Sequence, residues 1–215
     1  MLELIIHVIE TIGTVAFAVS GVLTAIERRL DLFGAVVLAG TTAVGGGIIR
    51  DILLGRLPPV AFVDPYYVLL AIATAGVMLL AARVAGNFVE DRRIVDFMPV
   101  FNLCDAMGLG IFSVLGADAA VQYGHGGNLF LTVFVGVVTG VGGGVMRDLF
   151  AGRTPVIMRR DIYAICSIAG TLLFCRLRRV IPEPAAMLSC AGFICVFRLA
   201  MVRCHATLPL SSTLR

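Results

Sequence analysis

Six ionisable residues stand inside apolar sequence: Glu10, Asp105, and two adjacent pairs, Arg50-Asp51 and Arg147-Asp148. An arginine at the centre of a bilayer costs at least about 2.5–3.5 kcal/mol. Such residues are therefore expected to face a protein interior or a wet cavity, where they offer ion pairing and charge along a path. Each Arg-Asp pair follows a glycine triplet, Gly45-Gly46-Gly47 or Gly142-Gly143-Gly144. Three adjacent glycines cost a helix about 2.5–3 kcal/mol against alanines. They are accommodated where a helix kinks or unwinds and its freed carbonyls meet water, an ion or a neighbour. Close helix packing is the other use of small residues. A contiguous triplet points around most of a helix rather than along one face, which favours the kink.

Neighbours on a helix point about 100° apart, so neither arginine is expected to be neutralised simply by the aspartate beside it. Glu10 and Asp105 are the candidate partners from other helices; the alternative is that each Arg-Asp pair caps a helix at the membrane interface. Arg56 and Arg153, beside Pro58 and Pro155, read as loop residues at the surface. Enzymatic chemistry finds no footing. The VGGGxxRD stretches lack the Lys-Ser/Thr of a phosphate loop and the spacing of a dinucleotide fingerprint, and GxSxG and HExxH do not occur. His7, His125 and His205 are far apart in sequence, and only His205 is near any of the six cysteines, none of which forms CxxC. These cysteines read as small buried hydrophobes, and no metal or cofactor is expected.

The elements that must position these residues are membrane helices. Of 215 residues, 59% are hydrophobic and only 14% charged, against about 25% charged in a soluble domain. Mean hydropathy is +1.00. Glu3, His7 and Glu10 occupy the place of a basic signal-peptide region, so the first apolar run reads as a span. A net charge of +3, with arginines scattered between apolar runs, excludes a nucleic-acid footprint. Spans are expected at 2–26, 30–55, 66–82, 97–117, 128–150, 161–175 and 184–202, the sixth being short. With seven spans, five arginines fall on the N-terminal face and twelve on the other. The positive-inside rule then places the N-terminus outside and the C-terminus in the cytoplasm.

The chain is internally repeated. Between 44–67 and 141–164, offset by 97, eleven of 24 positions are identical: Val44, Gly45, Gly46, Gly47, Arg50, Asp51, Gly55, Arg56, Pro58, Asp64 and Tyr66 recur. Upstream, at an offset of 95, Glu10 meets Asp105, Gly13 meets Gly108, Phe17 meets Phe112 and Gly21 meets Gly116. The expected fold is an all-α polytopic membrane protein. Residues 1–90 form one three-helix unit, 91–180 a second, and 181–215 a seventh helix with a tail. Three is odd, so the two units must be inverted relative to one another. Inverted repeats with interrupted helices in matching places point to a path across the bilayer.

The doubled GGGxxRD, the three-plus-three-plus-one spans and the outside N-terminus resemble prokaryotic members of the TRIC family, the trimeric intracellular cation channels. The resemblance covers nearly the whole chain. It implies a multi-pass protein of the bacterial inner membrane, a homotrimer in lipid with one pore per protomer for K⁺ and Na⁺. It places the six triplet glycines at kinks in spans two and five beside that pore, with Arg50, Asp51, Arg147 and Asp148 next to them. The animal channels carry Lys-Glu-Val where this chain reads Gly-Gly-Gly, and this chain has no lysine, so lysine-mediated phosphoinositide binding does not transfer. Cation passage past an arginine is expected to need a latch, with Arg147 held by hydrogen bonds, or carboxylates and carbonyls that outweigh its charge. Two alternatives remain: a secondary carrier for a small amino acid such as glycine, since related bacterial sequences have been labelled so, and a non-transporting scaffold.

Overall fold

A computed structural model describes residues 2–84, 94–159 and 162–204, and the ordered elements among them are helices. In chain order these are α1 (Leu2–Glu27), α2 (Leu32–Leu53), α3 (Val60–Val63), α4 (Tyr66–Val84), α5 (Ile94–Ala120), α6 (Leu129–Phe150), α7 (Val156–Arg159), α8 (Ile162–Leu177) and α9 (Glu183–Arg203). A π-helical turn, Val121–His125, extends α5. Six helices are long and apolar enough to cross a membrane. The 16 residues of α8 rise about 24 Å, short of a hydrocarbon core of about 30 Å. The long helices fall within a few residues of the expected spans; α3, α7 and the π turn are additions that hydropathy does not register. Arg92, Arg93, Arg160 and Arg215, four of the arginines used to orient the chain, and His205 lie outside the described residues.

α2 and α6 are bounded by the same devices. Asp31 Oδ1 accepts the Gly34 N–H at 2.7 Å, and Asn128 Oδ1 accepts that of Leu131 at 3.0 Å, satisfying N–H groups that lack helical partners. At the far end Gly55 (φ +73°) and Gly152 (φ +65°) take the left-handed conformation that stops a helix. Both helices are 22 residues long. Asp31→Ala should cost about 1 kcal/mol, lowering the thermal midpoint in detergent by about 2–4 °C. An unchanged midpoint would mean that this end of α2 is held by other contacts.

Unwinding at the glycine triplets is not observed. α2 and α6 run through Gly45–Gly47 and Gly142–Gly144 as uninterrupted α-helix, and none of the six glycines has positive φ. Their physical role is a crossing. A Cβ on Gly46 would fall on the Thr139 carbonyl oxygen of α6, and one on Gly143 on the Thr42 carbonyl oxygen of α2. The absence of side chains lets the two backbones touch while each keeps its own hydrogen bonds. α1 and α5 cross in the same reciprocal manner. Gly13 seats the Phe112 ring, Gly108 seats that of Phe17, and the two rings stack at 5.3 Å. Every partner in these crossings is the other's counterpart in the sequence repeat.

Candidate functional site

The turn after α6 assembles a charged cluster. Gly152 reverses the chain, and the Arg153 N–H returns to the Asp148 carbonyl at 3.0 Å, which brings the Arg153 side chain back over the helix end. Asp148 Oδ2 accepts the Val156 N–H at 2.9 Å, tying down the start of α7. Its Oδ1 accepts Arg153 Nε at 2.9 Å and Nη2 at 2.8 Å, and Arg147 Nε at 2.9 Å. Arg147 is wholly buried, at 0% exposure. Its Nη1 donates to Asp105 Oδ1 of α5 at 2.7 Å and to Ser20 Oγ of α1 at 3.0 Å. One guanidinium thus fastens α6 to both α1 and α5. Its planar fork suits it for this task, and its buried charge is matched by carboxylates.

An aromatic wall closes the cluster on one side. The Phe101 ring centroid lies 4.8 Å from the Arg147 guanidinium and 5.6 Å from that of Arg153, within cation–π range. Beyond Phe101 is a small cavity of about 20 Å³ bordered by Leu23, Glu27 and Phe97. Glu27 Oε2 accepts Arg153 Nη1 at 2.9 Å. On the inner side Gly144 leaves room for the Tyr163 hydroxyl, and the Tyr163 ring is faced by the buried Arg198 guanidinium at 4.7 Å.

The matching cluster of the first unit is built from counterparts but is open. Arg50 Nε pairs with Asp51 Oδ1 at 2.9 Å, and Asp51 Oδ2 accepts the Val60 N–H at 2.9 Å. Glu10, the counterpart of Asp105, and Arg50 both border a cavity of about 30 Å³ with Thr14, Gly47, Asp51 and Tyr67. That volume admits water. Arg56, the counterpart of Arg153, turns to the Tyr123 ring at 6.0 Å instead of to Asp51. The two units therefore carry one design in two forms, a sealed cluster around Arg147 and one beside an open cavity around Arg50.

Two expectations need correction. Each arginine does pair with the aspartate beside it, because a guanidinium on three methylenes bends back across the 100° that separates the two Cβ directions. Arg153 is no surface loop residue: its side chain is 13% exposed and holds Asp148 and Glu27 together. Of the expected site residues, Asp105, Arg147 and Asp148 meet in one cluster, while Glu10, Arg50 and Asp51 border one cavity beside Gly47. Sequence reasoning missed Ser20, Glu27, Phe101, Arg153 and Tyr163. The recurrence of Arg56 as Arg153 within the repeated motif was the available signal for one of them; nothing in the pattern marked Phe101 or Ser20.

Comparison with known proteins gives a consistent picture. A family model described as glycine transporter matches residues 7–83 and 102–179. The UPF0126 inner membrane protein YadS of Escherichia coli (strain K12) is 35% identical over 209 residues, covering 96% of each chain. Among solved structures, the TRIC trimeric intracellular cation channel orthologue from Rhodobacter sphaeroides is 31% identical, covers 94% of this chain and 98% of its own, and superposes with a TM-score of 0.82. A crystal structure of a prokaryotic TRIC channel is 27% identical, with coverage of 96% and 100% and a TM-score of 0.84.

Proposed function

The chain belongs to the TRIC family, a membrane protein of a lineage whose solved members are channels and not enzymes, and on that premise we propose that it is a cation channel. The observation that carries the reading is the pair of counterpart clusters beside the α2–α6 crossing. Among the side chains that line the first cluster or pair directly in the second, carboxylates outnumber guanidinium groups: Glu10 and Asp51 against Arg50, and Glu27, Asp105 and Asp148 against Arg147 and Arg153, with Arg198 set apart behind the Tyr163 ring. A path with one excess negative charge at each constriction attracts cations and repels anions.

We extend this proposal to a finer reading. Each protomer of a homotrimer in the bacterial inner membrane has its own pore for monovalent cations, K⁺ and Na⁺. The pore passes between α1, α2, α5 and α6. Seven spans are arranged as two inverted three-helix units plus α9, with the N-terminus outside; the reciprocal crossings of α1 with α5 and α2 with α6 support this layout, as does a family model matched over two successive stretches. Arg147 is the latch: held by Asp105, Asp148 and Ser20, it fills the path, and its release opens it.

Planar-bilayer recording under a KCl gradient tests the proposal. Single-channel currents that reverse near the K⁺ equilibrium potential are expected; a reversal toward the Cl⁻ potential would exclude a cation path. The family description favours one second reading, a carrier for glycine. Saturable glycine uptake by proteoliposomes, coupled to an ion in fixed ratio and without channel currents, would establish the carrier instead.

A further inference from the structure

The turns that follow α2 and α6 share one backbone design and differ in where one side chain goes. Gly55 and Gly152 are both left-handed. The Gly55 N–H reaches the Ile52 carbonyl at 3.1 Å, and the Gly152 N–H reaches that of Leu149 at 3.0 Å. The Arg56 N–H returns to the Asp51 carbonyl at 2.8 Å, as that of Arg153 does to Asp148 at 3.0 Å. The two carboxylates are posed alike as well. Each accepts the neighbouring arginine Nε on Oδ1 at 2.9 Å, and on Oδ2, also at 2.9 Å, the N–H that opens the next short helix. Asp51 takes that N–H from Val60 because Pro59, at the place of Val156 in the repeat, has none to give. Asp148 Oδ1 accepts Arg153 Nε and Nη2 in addition. Asp51 Oδ1 presents the same seat to Arg56, yet the exposed Arg56 side chain lies over the Tyr123 ring at 6.0 Å.

The repeat accounts for the two directions. At the offset of 95 that aligns α1 with α5, Glu27 corresponds to Gln122 and Arg28 to Tyr123. Arg153 is drawn in by the Glu27 carboxylate at 2.9 Å; Arg56 has a neutral amide at that place and an aromatic ring beside it. A guanidinium 6.0 Å from a ring that is 42% exposed is at the limit of cation–π range and weakly held. On Asp51 its charge would offset the excess negative charge of the first cluster, leaving Glu10 and Asp51 against Arg50 and Arg56. We propose that Arg56 is a second latch, which swings between the Tyr123 ring and Asp51 Oδ1. Over Tyr123 it leaves the cavity between Glu10 and Arg50 open to cations; on Asp51 it closes that cavity as Arg153 closes the cluster at Arg147. The inference rests on the channel reading and gives each inverted unit its own closure.

Planar-bilayer recordings of the full-length protein test the latch with opposite changes at one exposed position. Tyr123→Leu removes the ring, so Arg56 moves to Asp51. The ratio of open to closed time should fall about two- to fivefold, the shift that loss of an exposed cation–π contact gives. Arg56→Ala added to Tyr123→Leu should restore it. Tyr123→Glu puts a carboxylate where the ring was, holds Arg56 away from Asp51 and should raise the ratio. Changes of the same sign in the Leu and Glu variants, or a fall in Tyr123→Leu that survives Arg56→Ala, would overturn the proposal. A stability cycle in detergent tests the swing without reference to currents. Asp51→Asn keeps an oxygen for the Val60 N–H, so the fold is retained. The effects of Arg56→Ala and Asp51→Asn on the thermal midpoint should add in the wild type and be coupled in Tyr123→Leu. Additive effects in Tyr123→Leu would refute the second seat of Arg56. Coupling there in a protein that carries no current would uphold that seat and refute the channel reading alone.

Discussion

Gly143→Ala and Gly46→Ala should each destabilise the protein by about 2–3 kcal/mol, while alanine at Gly40 should stabilise it. Alanine in place of glycine favours a helix by about 1 kcal/mol, so the sign at each position depends on what the new methyl meets. At Gly46 and Gly143 it meets a backbone carbonyl oxygen of the opposite helix, Thr139 and Thr42 respectively. No rotamer change relieves such a clash; the two helices must part, and overpacking of this kind costs about 1–3 kcal/mol or more. At Gly40 the protein offers nothing within 4 Å, so only the propensity gain remains.

The outer glycines of the triplets make the comparison sharper. A Cβ on Gly45 would lie 2.5 Å from Met146 Sδ, the flexible part of a side chain, and one on Gly47 only 3.7 Å from an Arg50 nitrogen. Both substitutions should be tolerated far better than the one between them. Thermal midpoints in detergent should therefore order as Gly40→Ala above wild type, Gly45→Ala and Gly47→Ala near it, and Gly46→Ala well below. Equal effects across the triplet would indicate that it serves backbone flexibility, as the sequence alone suggested, and not a crossing point.

That contrast explains which parts of the molecule could be read from the sequence. The spans were legible because each long run is apolar enough to stand alone, and the repeat because Gly, Arg and Asp recur at fixed offsets. Asp105 as a partner for Arg147 was legible too, since the offset of 95 that aligns Glu10 with Asp105 places an acid opposite each Arg-Asp motif, and the two pair at 2.7 Å. The unwinding expected at the glycine triplets does not occur, for a physical reason: their cost was weighed within one helix, whereas the benefit that the structure shows, the close packing also considered, arises between two. The contact of each arginine with the aspartate beside it was missed because Cβ directions were taken as the directions of the charges, which fails for a side chain as long as arginine; the expectation of a further partner on another helix holds at Arg147. Phe101, Ser20 and Glu27 join the cluster only through the packing of α1 and α5 on α6, a relation that no local pattern encodes. The difference between a sealed cluster at Arg147 and an open one at Arg50 is likewise invisible, because the motifs are nearly identical. It arises from where Arg56 and Arg153 turn.

Arg147→Ala should raise open probability in planar bilayers substantially while moving the reversal potential little. Among the described residues this side chain is the one guanidinium that reaches Asp105 and Ser20 at once, so its removal frees the contact among α1, α5 and α6 that is proposed to fill the path. Selectivity should survive, because the carboxylates that attract cations remain and the deleted charge was repulsive. Stability should suffer: Asp148 keeps Arg153 and the Val156 N–H, but Asp105, 2% exposed, loses its counter-charge. Breaking a buried pair from one side costs about 3–5 kcal/mol. Adding Asp105→Ala to Arg147→Ala should then recover part of that loss, with a coupling of about 1–3 kcal/mol in the double-mutant cycle. Both single variants should open the channel, since the proposed latch needs both halves. If Arg147→Ala left gating unaltered and only shifted the reversal potential, the arginine would be a selectivity charge, and the seal would have to be sought at Phe101.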